Sequence, residues 1–130
     1  MKKLIYLMIL VWGTMLTLAA DKFPEITTDE LKKAISEKKV VLLDVNGTES
    51  WRQAHIPGAI NFEKVEKNLA AKLPADKNTL IVAYCGNERC TAYRAGAQAA
   101  KKLGYTNVKH YAKGIQGWVK AGAPTEKGRS

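Results

Sequence analysis

Two kinds of hydrophobic pattern alternate along this chain. Continuous apolar runs at 40–45 and 79–84 are typical of strands that are buried on both faces of a sheet. Between them, apolar residues at i, i+3 and i+4 indicate helices. Shorter strands are predicted at 59–62 and 107–112, and helices at 28–38, 48–53, 63–73, 91–103 and 115–120. Strands that alternate with helices predict an α/β fold with a mostly parallel sheet.

Polar and small residues mark where two of these helices begin and end. Thr27 and Glu30 have the spacing of a capping box, which predicts the start of the first helix. Thr91 is a candidate cap for the alanine-rich helix, and Gly104 is its natural stop. Small residues on one face of that helix would let it lie close to a sheet.

The first twenty residues have a different composition from the rest of the chain. Lys2 and Lys3 precede the uncharged apolar stretch 4–18, and small residues follow it. This arrangement predicts a signal peptide over residues 1–20 and one domain over 21–130. The protein would then be periplasmic or secreted in a bacterium. The alternative is an uncleaved membrane anchor, because the seventeen residues 4–20 are at the short limit of a spanning helix.

Basic residues outnumber acidic ones. The full chain has 21 Lys and Arg against 12 Asp and Glu, a net charge of +9, which becomes +7 without Lys2 and Lys3. The positive charges are scattered, with no arginine-rich block, so nucleic acid is not an expected partner. A mild attraction for small anions is expected instead.

The only two cysteines, Cys85 and Cys90, lie five residues apart in one polar loop. A disulfide over such a short step would stabilise the fold very little, so a bridge here would indicate redox chemistry. A zinc site needs about four ligands. Only His55 and His110 could add to the two thiols, and both are distant in sequence, so no metal is expected.

Cys85 follows the second apolar strand directly, where ligands bind in open parallel sheets. The loop then runs into a helix, whose first N–H groups lack partners within the helix and favour an anion. A thiol in that position is expected to have a lowered pKa and to act as a nucleophile without a histidine. The alternative is a buried cysteine that only fills space.

Three stretches of the sequence resemble the single-domain rhodanese family of sulfurtransferases. The first combines the strand 41–45 with Glu49, Trp51 and the segment 55–61. The second is the strand that ends in Cys85, six residues before Thr91. The third runs from 104 through 114–118 to 121–124. Together, in this order, they cover nearly the whole chain after the leader.

The resemblance implies a central five-stranded, mostly parallel sheet flanked by helices. It also implies that Cys85 attacks a sulfane sulfur donor such as thiosulfate and becomes a persulfide, which passes its sulfur to cyanide, a thiol or sulfite without any cofactor. The loop N–H groups would hold the anionic sulfur. The expected substrate-binding residues are Gly86, Asn87, Glu88, Arg89, Cys90 and Thr91.

Cys90 departs from the family pattern, which usually has arginine at this position, and Arg89 lies one residue earlier. Together with the negative Glu88, this weakens the expectation of efficient thiosulfate use. One hypothesis makes Cys90 a resolving thiol that attacks the Cys85 persulfide. The other is that Cys90 replaces a pocket-lining side chain and never meets Cys85.

Asp44 and His55 are expected to support the site structurally. Asp44 ends a strand and would anchor loop N–H groups, and His55 would form hydrogen bonds within a Pro-Gly turn. Besides a sulfurtransferase, two functions stay open: a thiol–disulfide redox protein that uses Cys85 and Cys90, and a non-catalytic rhodanese-like binding module.

Overall fold

Four parallel strands form the central sheet of the computed structural model, which describes residues 22–129. The predicted leader lies outside these residues. The elements follow in the order α1 (Thr28–Ser36), β1 (Val40–Asp44), α2 (Thr48–Gln53), β2 (Ile60–Asn61), α3 (Phe62–Val65), a 3-10 helix (Glu66–Ala71), β3 (Leu80–Tyr84), α4 (Tyr93–Lys102), β4 (Val108–His110) and α5 (Gly114–Lys120). The strand order is β2-β1-β3-β4. The predicted α/β class is therefore confirmed.

The prediction of five strands is wrong. A fifth position exists beside β4, but it contains only one bridge, between Glu25 and His110. The His110 amide donates to the Pro24 carbonyl, and the Ile26 amide donates to the His110 carbonyl. The ladder cannot extend backward because proline has no N–H group. It cannot extend forward because Thr27 already caps α1 through the predicted capping box.

The sheet is covered on both faces, as the continuous apolar runs predict. Neighbouring residues Leu42 and Leu43 of β1 enter different hydrophobic clusters, because successive side chains of a strand point to opposite faces. One cluster contains residues from α3 and α4, and the other contains Leu31 of α1 and Trp118 of α5.

Helix α4 approaches the sheet through small residues. Gly96, Ala97 and Ala100 are its buried positions. A Cβ atom on Gly96 would lie 3.0 Å from a methyl group of Val45, so a larger side chain would push the helix away from β1. The same Cβ atom would lie 3.7 Å from that of Ala83 in β3, so the small-residue face sets the height of α4 above both central strands.

Two further segments differ from the sequence predictions. The helix expected over 63–73 is broken into α3 and the 3-10 helix, with non-helical backbone at Asn68. The tail, residues 121–129, for which no element was predicted, packs back on the domain: His55 and Glu126 form an antiparallel bridge with two backbone hydrogen bonds of 2.9 Å. In the part of the chain from 22 to 129, no helix is long and apolar enough to cross a membrane.

Candidate active site

Cys85 lies at the carboxyl end of β3, in the centre of the sheet edge. In the register of the sheet, Asp44 pairs with Tyr84, so β1 and β3 end side by side. The Val45 amide donates to the Tyr84 carbonyl and extends this pairing by one residue. Cys85 itself is only 1% exposed. The sheet thus delivers the thiol to a defined position just below the loop surface.

Cys85 and Cys90 are joined by a disulfide, and their Cα atoms are 6.2 Å apart. The idea that Cys90 never meets Cys85 is therefore wrong. Cys90 is half-buried and Cys85 is buried, so the two sulfur-bearing residues differ in their access to solvent. The loop between them closes back on itself through a hydrogen bond from the Cys90 amide to the Asn87 carbonyl, at 3.1 Å.

The start of α5 fixes the first two peptide groups of the loop. The Ile115 amide donates to the Cys85 carbonyl at 2.9 Å, and the Gln116 amide donates to the Gly86 carbonyl at 3.0 Å. In a trans peptide, the N–H group points away from the preceding carbonyl. Because α5 holds these carbonyls, the amides of Gly86 and Asn87 point away from α5.

Gly114 makes this close approach possible. Its φ is +62°, and a Cβ atom there would lie 2.5 Å from the Cys85 carbonyl oxygen. Glycine is the residue that accepts both the left-handed backbone and the contact. Sequence reasoning missed this residue, although a glycine just after β4 was an available signal for a close backbone approach.

The loop amides fall into two groups. Arg89 donates its amide to the Asn87 side-chain oxygen at 2.9 Å, and Cys90 donates within the loop as described above. Within residues 22–129, no acceptor faces the amides of Gly86, Asn87 and Glu88. The loop N–H groups expected to hold an anion are those of residues 86–90, and this expectation is wrong for Arg89 and Cys90, whose amides donate within the loop.

Thr91 does not cap α4, contrary to the prediction. The helix begins at Tyr93, and no side chain of the described residues caps it. Thr91 and Ala92 instead form a tight turn, in which their carbonyls accept from the amides of Arg94 and Ala95. The disulfide-bonded Cys90 immediately precedes this turn.

Positive charge surrounds the outer face of the loop. A cavity of about 690 Å³ lies between the loop and α5, and Arg89, Lys113 and Lys120 line it together with Glu88. Asn87 spans the two elements through a 3.3 Å hydrogen bond from its side-chain amide to Gln116. Lys113 at the start of α5 thus contributes to a cationic cavity beside the cysteine loop.

Asp44 anchors the neighbouring strand end. Its carboxylate accepts from the Asn46 amide at 2.9 Å and from the Tyr84 hydroxyl at 2.7 Å. Burial raises the pKa of Asp44, and these two hydrogen bonds partly oppose that rise. Burial and the adjacent Asp44 also raise the pKa of Tyr84, so the hydroxyl stays protonated and donates. The geometry gives Asp44 a positioning role.

His55 is buried and lies away from the cysteine loop in the contacts it makes. Its ring stacks on Trp51, with centroids 4.4 Å apart, and its Nδ1 is 2.8 Å from the Trp51 carbonyl. Its Nε2 is 3.6 Å from the Glu126 carboxylate. These contacts tie α2 to the tail. Across residues 22–129, no group of three or more His, Cys, Asp or Glu side chains is arranged to hold a metal ion.

The comparison with known families decides which class of protein contains this site. Residues 27–121 match the family described as "Rhodanese-like domain". This chain belongs to that family. The match spans β1, the cysteine loop and α5, so every element that builds the site of this rhodanese-like domain lies within it.

Relatives of the rhodanese-like domain include enzymes and a regulator. It is 34% identical over 73 residues to thiosulfate sulfurtransferase PspE of Escherichia coli, which covers 52% of this chain and 64% of that protein. It is 35% identical over 104 residues to the HTH-type transcriptional regulator Rv0324 of Mycobacterium tuberculosis, covering 79% of this chain. The chain spans only 45% of the length of that regulator.

A solved structure shows the same fold. Thiosulfate sulfurtransferase from Pseudomonas aeruginosa superimposes with a TM-score of 0.69 and 25% identity, over 83% of this chain and 21% of that protein. Rhodanese-like domains therefore occur in proteins of different overall activity. The sulfurtransferases among the relatives support a sulfur-transfer role for this domain.

Proposed function

We propose that this protein is a sulfurtransferase that carries sulfane sulfur on Cys85. The observation that carries the proposal is the fixed loop geometry. Hydrogen bonds from α5 hold the Cys85 and Gly86 carbonyls, which turns the amides of Gly86 and Asn87 away from α5 with no acceptor in residues 22–129. Such amides stabilise an anionic sulfur at the end of β3.

The proposed reaction has two steps on the reduced protein. The Cys85 thiolate attacks the outer sulfur of thiosulfate, a sulfur–sulfur bond breaks, and sulfite leaves with the electron pair, giving a Cys85 persulfide. An acceptor such as cyanide then attacks the outer sulfur and leaves as thiocyanate, which restores the thiolate. The transferred sulfur is thus bound covalently to Cys85 between the two steps.

The cationic cavity beside the loop supports an anionic donor. Arg89, Lys113 and Lys120 line it and outnumber the single carboxylate of Glu88. Positive charge raises the local concentration of anions and speeds their encounter with the site. Cys90 stands where a family member usually has arginine, and Glu88 adds a negative charge to the loop, so the proposal includes donors other than thiosulfate.

Cys90 is proposed to act as the resolving thiol. Its thiolate attacks the inner sulfur of the Cys85 persulfide, so that hydrosulfide leaves and the Cys85–Cys90 disulfide forms. The same pair is bonded in the structure, with Cα atoms 6.2 Å apart, which is within the usual range for a disulfide. A further cycle then needs a thiol reductant.

The disulfide also favours a second candidate function, a thiol–disulfide redox protein. In that case the pair would exchange electrons with a dithiol, and sulfane sulfur would play no part. Export by the leader at 1–20, with the protein periplasmic or secreted, is likewise a proposal, based on the charge and apolar pattern of those residues.

The test uses pre-reduced wild type, Cys85→Ser and Cys90→Ser, each treated with thiosulfate and measured by intact mass. Cys90→Ser is expected to gain about 32 Da, the mass of one sulfur atom added as a persulfide, and wild type is expected to gain it transiently. Cys85→Ser is expected to gain nothing and to lose thiosulfate:cyanide activity at least about a thousandfold, as removal of a nucleophile does.

Two results separate the candidate functions. A persulfide that persists in Cys90→Ser but decays with release of sulfide in wild type supports the resolving role. If no donor gives an adduct on Cys85 while dithiol oxidation requires both cysteines, the sulfurtransferase proposal fails and the redox function replaces it.

A further inference from the structure

The two sulfurs of the disulfide are not equivalent to an incoming reagent. Cys85 is 1% exposed, whereas Cys90 lines a cleft of about 400 Å³ on the α4 side of the loop. Thiol–disulfide exchange depends on which sulfur the attacking thiolate can reach. A small thiol that enters this cleft meets Cys90 first.

The cleft carries charges of both signs around that sulfur. Arg94 supplies a guanidinium, and Glu25 and Glu88 supply carboxylates. All three side chains belong to exposed residues, and the structure shows no ion pair of 4.0 Å or less for them within residues 22–129. A ligand with one carboxylate and one ammonium group would complement this set.

We propose that this cleft binds a small zwitterionic thiol of the cysteine type, which opens the disulfide by attack on Cys90. This inference rests on the proposed function because the group released is the Cys85 nucleophile. It adds a second binding site on the α4 side of the loop, which shares only Glu88 with the cationic cavity between the loop and α5.

The exchange balances in two steps. The thiolate forms a bond to the Cys90 sulfur, the Cys85–Cys90 bond breaks, and the electron pair leaves on Cys85 as a thiolate. A second thiolate attacks the bound thiol of the mixed disulfide, which frees Cys90 as a thiolate and releases the oxidised small disulfide. Two thiols lose two electrons, and the protein disulfide gains them.

The departing sulfur also favours this direction. Exchange is faster when the leaving thiolate is more stable. Cys85 precedes the loop amides of Gly86 and Asn87, which have no acceptor within residues 22–129, whereas the Cys90 amide is already used inside the loop. Attack on Cys90 therefore expels the better supported anion.

The first test locates the mixed disulfide. Oxidised wild-type protein is mixed with excess cysteine, stopped with acid after short times, unfolded, alkylated with N-ethylmaleimide and peptide-mapped. Cysteine bound to Cys90, with Cys85 alkylated, is the expected result. Cysteine bound to Cys85, or no mixed disulfide at any time, would overturn the inference.

The second test compares reduction rates for cysteine, cysteamine, 3-mercaptopropionate and 2-mercaptoethanol at equal thiolate concentration. Cysteine is expected to react fastest. Arg94→Gln is expected to slow cysteine and 3-mercaptopropionate by about two- to fivefold, the range of a partly exposed ion pair, and to leave 2-mercaptoethanol unchanged. Lys32→Gln on α1 removes the same charge and serves as the matched control.

Equal rates for all four thiols in wild type and Arg94→Gln would show that the cleft does not recognise charge, which contradicts the proposed ligand class. Neither test contains a sulfane donor. If cysteine forms a mixed disulfide with Cys90 but thiosulfate gives no persulfide on Cys85, only the sulfurtransferase proposal is rejected. If the persulfide forms but the mixed disulfide with Cys90 does not, only the proposed thiol site is rejected.

Discussion

The ends of β1 and β3 lie side by side at one edge of the sheet, yet their polar groups are used in opposite ways. At β1, the Asp44 carboxylate is fully buried and accepts from two donors. The Tyr84 hydroxyl that donates to it also accepts from the Ile56 amide at 3.0 Å. At β3, the amides of Gly86, Asn87 and Glu88 have no acceptor in residues 22–129.

This difference separates support from chemistry. A buried polar group that is fully hydrogen-bonded stabilises one geometry and offers nothing to a ligand. Amides held in place by their neighbours but without an acceptor are prepared to receive an anion. The same sheet edge therefore contains a fully hydrogen-bonded carboxylate at the end of β1 and, at the end of β3, a loop whose amides, free of acceptors within residues 22–129, can bind an anion.

Among the tests of this difference between the two strand ends, the largest expected effect comes from disturbing the β3 loop through Gly114→Ala. The new Cβ atom meets the Cys85 carbonyl, so either the loop or α5 must move. We expect about a hundredfold slower persulfide formation, because a displacement near 1 Å can cost that much in rate. Single-turnover sulfur transfer from thiosulfate measures it.

Gly104→Ala is the matched control for this substitution. Gly104 also has a positive φ, +95°, but nothing lies within 4 Å of its Cβ position. Both variants are expected to lose about 1–2 kcal/mol of stability from left-handed backbone strain. Equal activity of the two variants would mean that the hold of α5 on the loop does not matter for transfer.

A smaller effect is expected at the end of β1. Tyr84→Phe leaves one oxygen of the buried Asp44 without its donor and the Ile56 amide without its acceptor. The free energy of unfolding should fall by about 2–3 kcal/mol, measured by urea denaturation. Tyr111→Phe, which loses only a part-buried bond to Thr28, is the control and should lose about 1 kcal/mol or less.

The smallest effect tests a third strand end, that of β4. His110 stacks on Tyr93, and its buried Nε2 has no hydrogen-bond partner within residues 22–129. Burial lowers the pKa of His110 below its ordinary 6.5; Glu25 opposes this shift and Arg94 adds to it. The unfolded chain therefore binds the His110 proton more readily than the folded protein does. The free energy of unfolding is expected to decrease as the pH falls below 6.5, because protonation of His110 then favours the unfolded state.

His110→Phe is expected to retain the ring contact and remove this titration. We expect the free energy of unfolding, measured by urea denaturation between pH 7.5 and pH 5.5, to fall less for the variant than for wild type. The difference between the two proteins should be smaller than the loss expected for Tyr84→Phe. Parallel pH profiles for the two proteins would contradict the assignment.

The sequence patterns predicted most of what positions the site. The apolar runs located β1 and β3, because a strand that is buried on both faces needs apolar residues at every position. The ends of those strands then placed Asp44 and Cys85 at one edge. The capping box at Thr27 and Glu30 was likewise local chemistry, and the structure confirms it.

Features that depend on distant contacts could not be predicted in the same way. One backbone hydrogen bond joins Ile115 of α5 to Cys85 of the loop, and two join His55 to Glu126. Neither pair carries a periodic pattern. Thr91 was expected to cap α4 from its residue type, but its carbonyl and that of Ala92 form a tight turn between the disulfide-bonded Cys90 and the helix.

The contact between the cysteine loop and α5 also orders events during synthesis. Asn87 and Gln116 are 29 residues apart, so the ribosome makes both thiols well before the helix that orients their peptide groups. A nascent chain that has been synthesised only as far as the loop would contain both cysteines without the α5 amides that hold the loop carbonyls. The reactive geometry becomes available only after α5 has been synthesised.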